Sequence, residues 1–124
     1  ARAVLKQKVS LKQTVTQLGN LGGLICGLYT EDYELIGRSL HDEIVEPLRS
    51  ILIPEFDAII ASANDAGALG GGISGSGPSI FALSKSKKTA DHVGIAMAKV
   101  YKKLGIDFDI HVSKVNANGI RVIK

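Results

Sequence analysis

Gly70-Gly71-Gly72-Ile73-Ser74-Gly75-Ser76-Gly77-Pro78-Ser79-Ile80-Phe81-Ala82-Leu83 is the stretch on which the fold of this chain turns. Leu69 to Ile73 and Pro78 to Leu83 read as two short strands, and Ser74-Gly75-Ser76-Gly77 between them makes a hairpin-like unit. Gly70, Gly72 and Gly75 have G-x-G-x-x-G spacing, but a dinucleotide fingerprint must open a helix, and here Ser79 to Leu83 continues as a strand. A Walker loop needs Gly-Lys-Ser or Gly-Lys-Thr, where this chain has Gly77-Pro78. What remains is physical: consecutive small residues expose their N–H groups, and Ser74 and Ser76 add hydroxyl donors that can face an anion or a phosphate. A tight hairpin loop with no ligand fits the same composition, so both readings stay open at this point.

On the N-terminal side of this hairpin the pattern is helical. Ser10 followed by Gln13 makes a capping box for a helix over about 11–28, with Leu11, Val15, Leu18, Ile25 and Leu28 along one face. Gly19, Gly23 and Gly27 recur every four residues, which weakens an isolated helix but lets another backbone approach closely. Thr30 is the expected cap of a second helix carrying Tyr33, Ile36 and Leu40 inward and fraying near His41. Pro47 implies an irregular short helix over 44–49, and Pro54 suits the first position of a helix through Phe56, Ile59, Ile60 and Ala63, stopped by Gly67. On the other side, Ser86 caps a helix in which Ala90, Val93, Met97, Val100 and Leu104 repeat at three and four residues until Gly105. Ile106, Phe108, Ile110 and Val112 then alternate with polar residues as a third strand, and Asn118-Gly119 turns the chain into a fourth over 120–123. The sum is α+β, with helices layered on one face of an antiparallel sheet and an extra helical segment at the N-terminal end.

With 124 residues and 45% hydrophobic content, the chain reads as one domain over 1–124. Six of its fourteen glycines fall between Gly67 and Gly77, so the excess is local to the hairpin. The net charge of +3 is modest and no aromatic residues interleave with the lysines, which argues against a nucleic-acid partner. Cys26 excludes an internal disulfide, and its apolar neighbours point to a buried thiol in a reducing cytoplasm. No run approaches the roughly 18 apolar residues of a membrane span. The helix-like opening and the solitary Met97 make the sequence read as part of something longer.

The segment Gly70 to Ser79 resembles the third signature motif of the GHMP small-molecule kinases, named for galactokinase, homoserine kinase, mevalonate kinase and phosphomevalonate kinase. Within that superfamily, Tyr33-Glu34-Leu35-Ile36-Gly37-Arg38-Ser39-Leu40, Ile44-Val45-Glu46-Pro47-Leu48-Arg49 and Ile53-Pro54 are similar to homoserine kinases. So are the opening Ala1-Arg2-Ala3-Val4-Leu5 and the ending Asn118-Gly119-Ile120-Arg121-Val122-Ile123. The resemblance implies a GHMP kinase C-terminal domain with a ferredoxin-like antiparallel sheet, lacking the N-terminal domain that binds ATP and Mg. No Pro-x-x-x-Gly-Leu-Gly-Ser-Ser type loop occurs in these residues.

In such a kinase the γ-phosphate of ATP passes to the side-chain hydroxyl of homoserine, giving O-phosphohomoserine for threonine biosynthesis. By resemblance, Arg2 and Arg49 lie in segments that contact the homoserine carboxylate, a task that suits a guanidinium fork. Gly72, Ser74, Gly75, Ser76 and Gly77 resemble the element near the transferred phosphate and the substrate's reacting end. No catalytic base and no metal ligand is assigned: His41, His92 and His111 read as surface positions, and Glu46 as a helix cap or an ion-pair partner. The partners implied are homoserine and the N-terminal kinase domain, with neither nucleic acid nor membrane, and a homodimer is compatible with the glycine-striped helix. A regulatory amino-acid-binding domain, or another GHMP kinase with a different alcohol, are the competing readings. The first is disfavoured by some 66 helical residues ahead of the sheet; the second is disfavoured if Arg2 and Arg49 converge on one point, because neutral sugars offer no carboxylate.

Overall fold

The computed structural model of the chain describes residues 5, 8–75, 77–120 and 122. Its elements run α1 (Leu11–Thr30), α2 (Tyr33–Ser39), α3 (Glu46–Arg49) with a 3-10 turn (Ser50–Leu52), α4 (Phe56–Asp65), β1 (Gly70–Ile73), β2 (Ile80–Leu83) and α5 (Lys87–Leu104). The helix starts follow local chemistry. Ser10 accepts from the Gln13 N–H in a capping box, and Ser86 accepts from the Thr89 N–H. Gly105, at φ 67°, ends α5 in the left-handed region where a side chain would be strained. The cap of α2 is Asp32 and not Thr30: Glu31 turns left-handed, Asp32 accepts from the Leu35 N–H, and Thr30 instead donates back to the Cys26 carbonyl. Similarly, α4 begins at Phe56, after Glu55 has adopted φ 54°.

β1 and β2 pair antiparallel, Gly70 opposite Leu83 and Ile73 opposite Ile80. The core is built around α4, whose Phe56, Ile59 and Ala63 are buried together with Ile36, Ile53 and Val93. α4 packs on β1 and α5, while α1 packs on α2. The glycine face of α1 makes that second contact. A Cβ on Gly27 would lie 3.0 Å from the Ile36 backbone nitrogen, and one on Gly23 would lie 2.5 Å from the Ser39 hydroxyl, whereas Gly19 faces open space. The close approach expected of the glycine stripe therefore occurs at two of its three positions. Its consequence is that Leu11, Val15, Leu18, Ile25 and Leu28 turn outward and are exposed, and Cys26 is exposed too, contrary to the buried thiol read from its neighbours.

The sheet has two strands among the described residues. The alternating segment 106–112 forms no ladder, and neither do Ile120 and Val122; Arg121 and Ile123 lie outside the described residues. Its apolar side is nevertheless used. Phe108 stacks on Tyr101 with ring centroids 5.6 Å apart, and Ile110 and Val112 close over Gly94 of α5. A cavity of about 800 Å³ lies between this segment and β2, so the neighbour needed about 4.8 Å away for ladder hydrogen bonds is missing on that side. The architecture remains α+β, with helices packed on a hairpin.

Candidate functional site

Three pieces meet at the tip of the hairpin. The first is the loop itself: Ser74 donates its N–H to the Ser79 carbonyl at 2.8 Å, and the Gly77 N–H reaches the Ser74 carbonyl at 3.3 Å. Gly75 and Gly77 have φ of 62° and 79°, values that only glycine takes at low cost, so this course is fixed by those two residues. Ser74 and Gly75 are exposed, Gly77 is half-buried, and Gly72 is buried in β1.

The second piece is Arg49, at the end of α3. Pro47 in the first turn of α3 and the 3-10 turn after it set the direction from which Arg49 reaches the loop. Its Nη1 donates to the Gly75 carbonyl at 3.2 Å, while its Nε is buried with no partner among the described residues. A guanidinium carries five donors, and a buried one left unpaired is costly unless something else accepts from it. Beside it lies a hollow of about 210 Å³ lined by Arg49, Leu52, Ile53, Ile73, Gly77 and Pro78.

The third piece is Glu46, three residues earlier and on the same side of the turn. Its Oε2 accepts from the Ile73 N–H at 3.3 Å and lies 2.5 Å from where a Cβ on Gly72 would stand. Burial raises its carboxyl above the ordinary 4.5; the Ile73 N–H and His41 pull the other way, and Asp42 and Asp57 add to the rise. Glu46 does not cap α3, and among the described residues it forms no ion pair with Arg49. Both roles read for it from the sequence are thereby corrected. What the sequence does hold is that Glu46 and Arg49 share one helical face and that three consecutive glycines allow a neighbour to come unusually close, neither of which names the partner.

The structure thus brings Arg49, Gly72, Ser74, Gly75 and Gly77 together, while Arg2 and Ser76 lie outside the described residues. His41, His92 and His111 are exposed, as their positions in the sequence implied. The larger cavity, walled by β2, α5 and the 106–115 segment, adjoins the smaller hollow at Ile53 and Pro78 but is lined by neither Arg49 nor Glu46. Chemically, the smaller site offers a guanidinium cation among apolar residues and Gly77, a combination suited to an anionic small molecule.

The family model described as "GHMP kinases C terminal" matches residues 12–103. The chain belongs to that family. This stretch contains every element from α1 to α5 apart from the first residue of α1 and the last of α5, and with them the whole hairpin site. The chain is also similar to a homoserine kinase of Chlorobaculum tepidum, 47% identical over 99% of this chain and 39% of that protein. A homoserine kinase of Chlorobium phaeobacteroides is 51% identical over the same shares. The crystal structure of homoserine kinase from Cytophaga hutchinsonii superposes with a TM-score of 0.90 at 54% identity, covering 93% of this chain and 36% of that one. The chain spans about two fifths of the length of the curated relatives it matches.

Proposed function

We propose that this chain is the C-terminal, substrate-side domain of a homoserine kinase, the whole protein phosphorylating the homoserine hydroxyl with ATP. The observation that carries the reading is the seat of Arg49, with one nitrogen on the Gly75 carbonyl and a buried Nε that has no partner among the described residues, beside a small hollow. Its family membership and the names of its relatives support the same reading. Arg49, with Arg2 as its counterpart, would hold the substrate carboxylate, and Gly72, Ser74, Gly75, Ser76 and Gly77 would form the loop near the transferred phosphate.

In the transfer, the substrate hydroxyl oxygen attacks the γ-phosphorus, the bond from that phosphorus to the β,γ-bridging oxygen breaks, ADP departs and the hydroxyl proton passes to solvent water. Catalysis rests mainly on alignment and charge neutralisation, so a domain without a catalytic base still contributes by fixing the acceptor. The reading draws ATP and Mg, with the principal phosphate loop, from the part of the polypeptide outside these residues. It places the whole protein in the cytoplasm; no helix among the described residues is long and apolar enough to cross a membrane. It also expects the remaining polypeptide to cover the exposed apolar row of α1.

The test is ADP formation by the full-length kinase with homoserine and with a panel of alcohols including mevalonate and galactose. Homoserine should be preferred, and Arg49→Ala should abolish the preference. Use of another alcohol alone would keep the family and discard homoserine, and absence of ATP use would favour an amino-acid-binding role without catalysis.

A further inference from the structure

The two ends of one helical turn, Glu46 and Arg49, both meet the entry side of the glycine loop. Glu46 takes the N–H of Ile73, where β1 leaves the sheet, and Arg49 gives a donor to the Gly75 carbonyl, two residues further on. Because both side chains leave α3 on one face, they span the loop entry as a rigid pair. The seat for Glu46 exists because residue 72 is glycine: a Cβ there would be 2.5 Å from Oε2, inside any real contact distance, and 3.6 Å from the Phe81 ring. The carboxylate therefore occupies space that a side chain of β1 would otherwise fill.

We infer that Glu46 is a positioning residue: its carboxylate anchors the loop entry through the Ile73 N–H so that Arg49 and the loop face the substrate in one fixed geometry. The consequence for catalysis rests on the kinase reading given above; the anchor itself does not. A loop of Gly and Ser has the largest backbone freedom available to a chain, and a loop left free to shift holds the reacting groups out of alignment. Two tethers from one helical turn remove that freedom beforehand. Arg49 alone would leave the loop entry, next to three glycines, free to shift, and misplacement of about 1 Å is enough to lower turnover on the order of 100-fold. Glu46 acts through the loop and touches no reacting atom, so its loss should be felt mainly in kcat, whereas loss of the Arg49 contact to a carboxylate should be felt mainly in KM.

The experiment uses the full-length kinase with Glu46→Ala, Glu46→Gln, Gly72→Ala and the double variant Glu46→Ala with Gly72→Ala. Turnover is normalised to folded enzyme, and amide exchange is measured at Ile73. Glu46→Ala should lower kcat roughly 10- to 100-fold with KM for homoserine changed less than about 3-fold, and should expose the Ile73 amide to exchange. Glu46→Gln, which keeps an acceptor oxygen, should recover most of both. Gly72→Ala should reproduce Glu46→Ala by displacing the carboxylate, and the double variant should be no worse than either single change. An unchanged Ile73 exchange in Glu46→Ala, no recovery with glutamine, or additive losses in the double variant would each overturn the anchor. If the enzyme proves not to use homoserine, the substrate reading fails while the exchange at Ile73 still decides the role of Glu46.

Discussion

α1 and α4 differ in a way that their lengths would not foretell. α4 has ten residues and buries Phe56, Ile59 and Ala63 between β1 and α5. α1 has twenty residues and buries one, Gly27. The short helix carries the core, and the long one meets its neighbour through Gly23 and Gly27 while Leu11, Leu18, Leu21, Ile25 and Leu28 face outward. An amphipathic period reveals that a face exists but does not reveal which face the rest of the fold will use. On α1 the closest packing was available to the side without side chains, since backbone can approach backbone there. An exposed apolar row of this length is the kind of surface that proteins normally cover.

Substitutions can break or sharpen this contrast. The largest effect should come from Ile59→Ala in α4: the side chain is fully buried, and its loss should cost about 2–5 kcal/mol in chemical denaturation. Gly27→Ala should follow at about 1–3 kcal/mol, because the new methyl would meet the Ile36 nitrogen at 3.0 Å and the Asp32 carbonyl at 3.1 Å, both of them backbone. Gly22→Ala, on the same helix with nothing within 4 Å, should instead stabilise by about 0.4–1 kcal/mol. Leu18→Ala on the exposed row should change the stability of this chain by less than about 0.5 kcal/mol. A large loss at Leu18, or none at Gly27, would reverse the assignment of the two faces.

The smallest effect concerns pH. With its folded pKa raised above 4.5, Glu46 binds a proton more tightly in the folded state, so its contribution to stability is greatest at low pH and is lost as pH rises through the folded pKa. Glu46→Gln removes that dependence. Its stability relative to the parent chain should therefore improve between about pH 4 and pH 7 in denaturant titrations, and a relative decline would contradict the direction of the shift.

Much of this fold was legible because its signals are local. Ser10 with Gln13, Ser86 and Gly105 act within a turn of their own positions, and the hairpin follows from the Ser-Gly-Ser-Gly loop between apolar runs. What failed depends on partners distant in sequence. The alternation at 106–112 announced a covered strand, and the cover is present as α5, but alternation carries no information about whether a hydrogen-bonding neighbour stands alongside. Cys26 went wrong with the face of α1 that carries it. For the candidate site, Arg49 and the glycines were named through the resemblance, while the Glu46 contact needed the loop and α3 to be seen together across 27 positions.

Whether Arg49 reads a carboxylate is tested by comparing homoserine with its decarboxylated analogue 3-aminopropan-1-ol. Specificity constants would be measured for the full-length kinase and for Arg49→Ala. The parent enzyme should prefer homoserine on the order of 10- to 100-fold or more, as expected for hydrogen bonds to a charged group, and Arg49→Ala should lose most of that preference by losing activity on homoserine alone. If Arg49→Ala lowers both substrates equally and keeps the preference, the guanidinium supports the loop and does not read the carboxylate, and the account of this site is wrong.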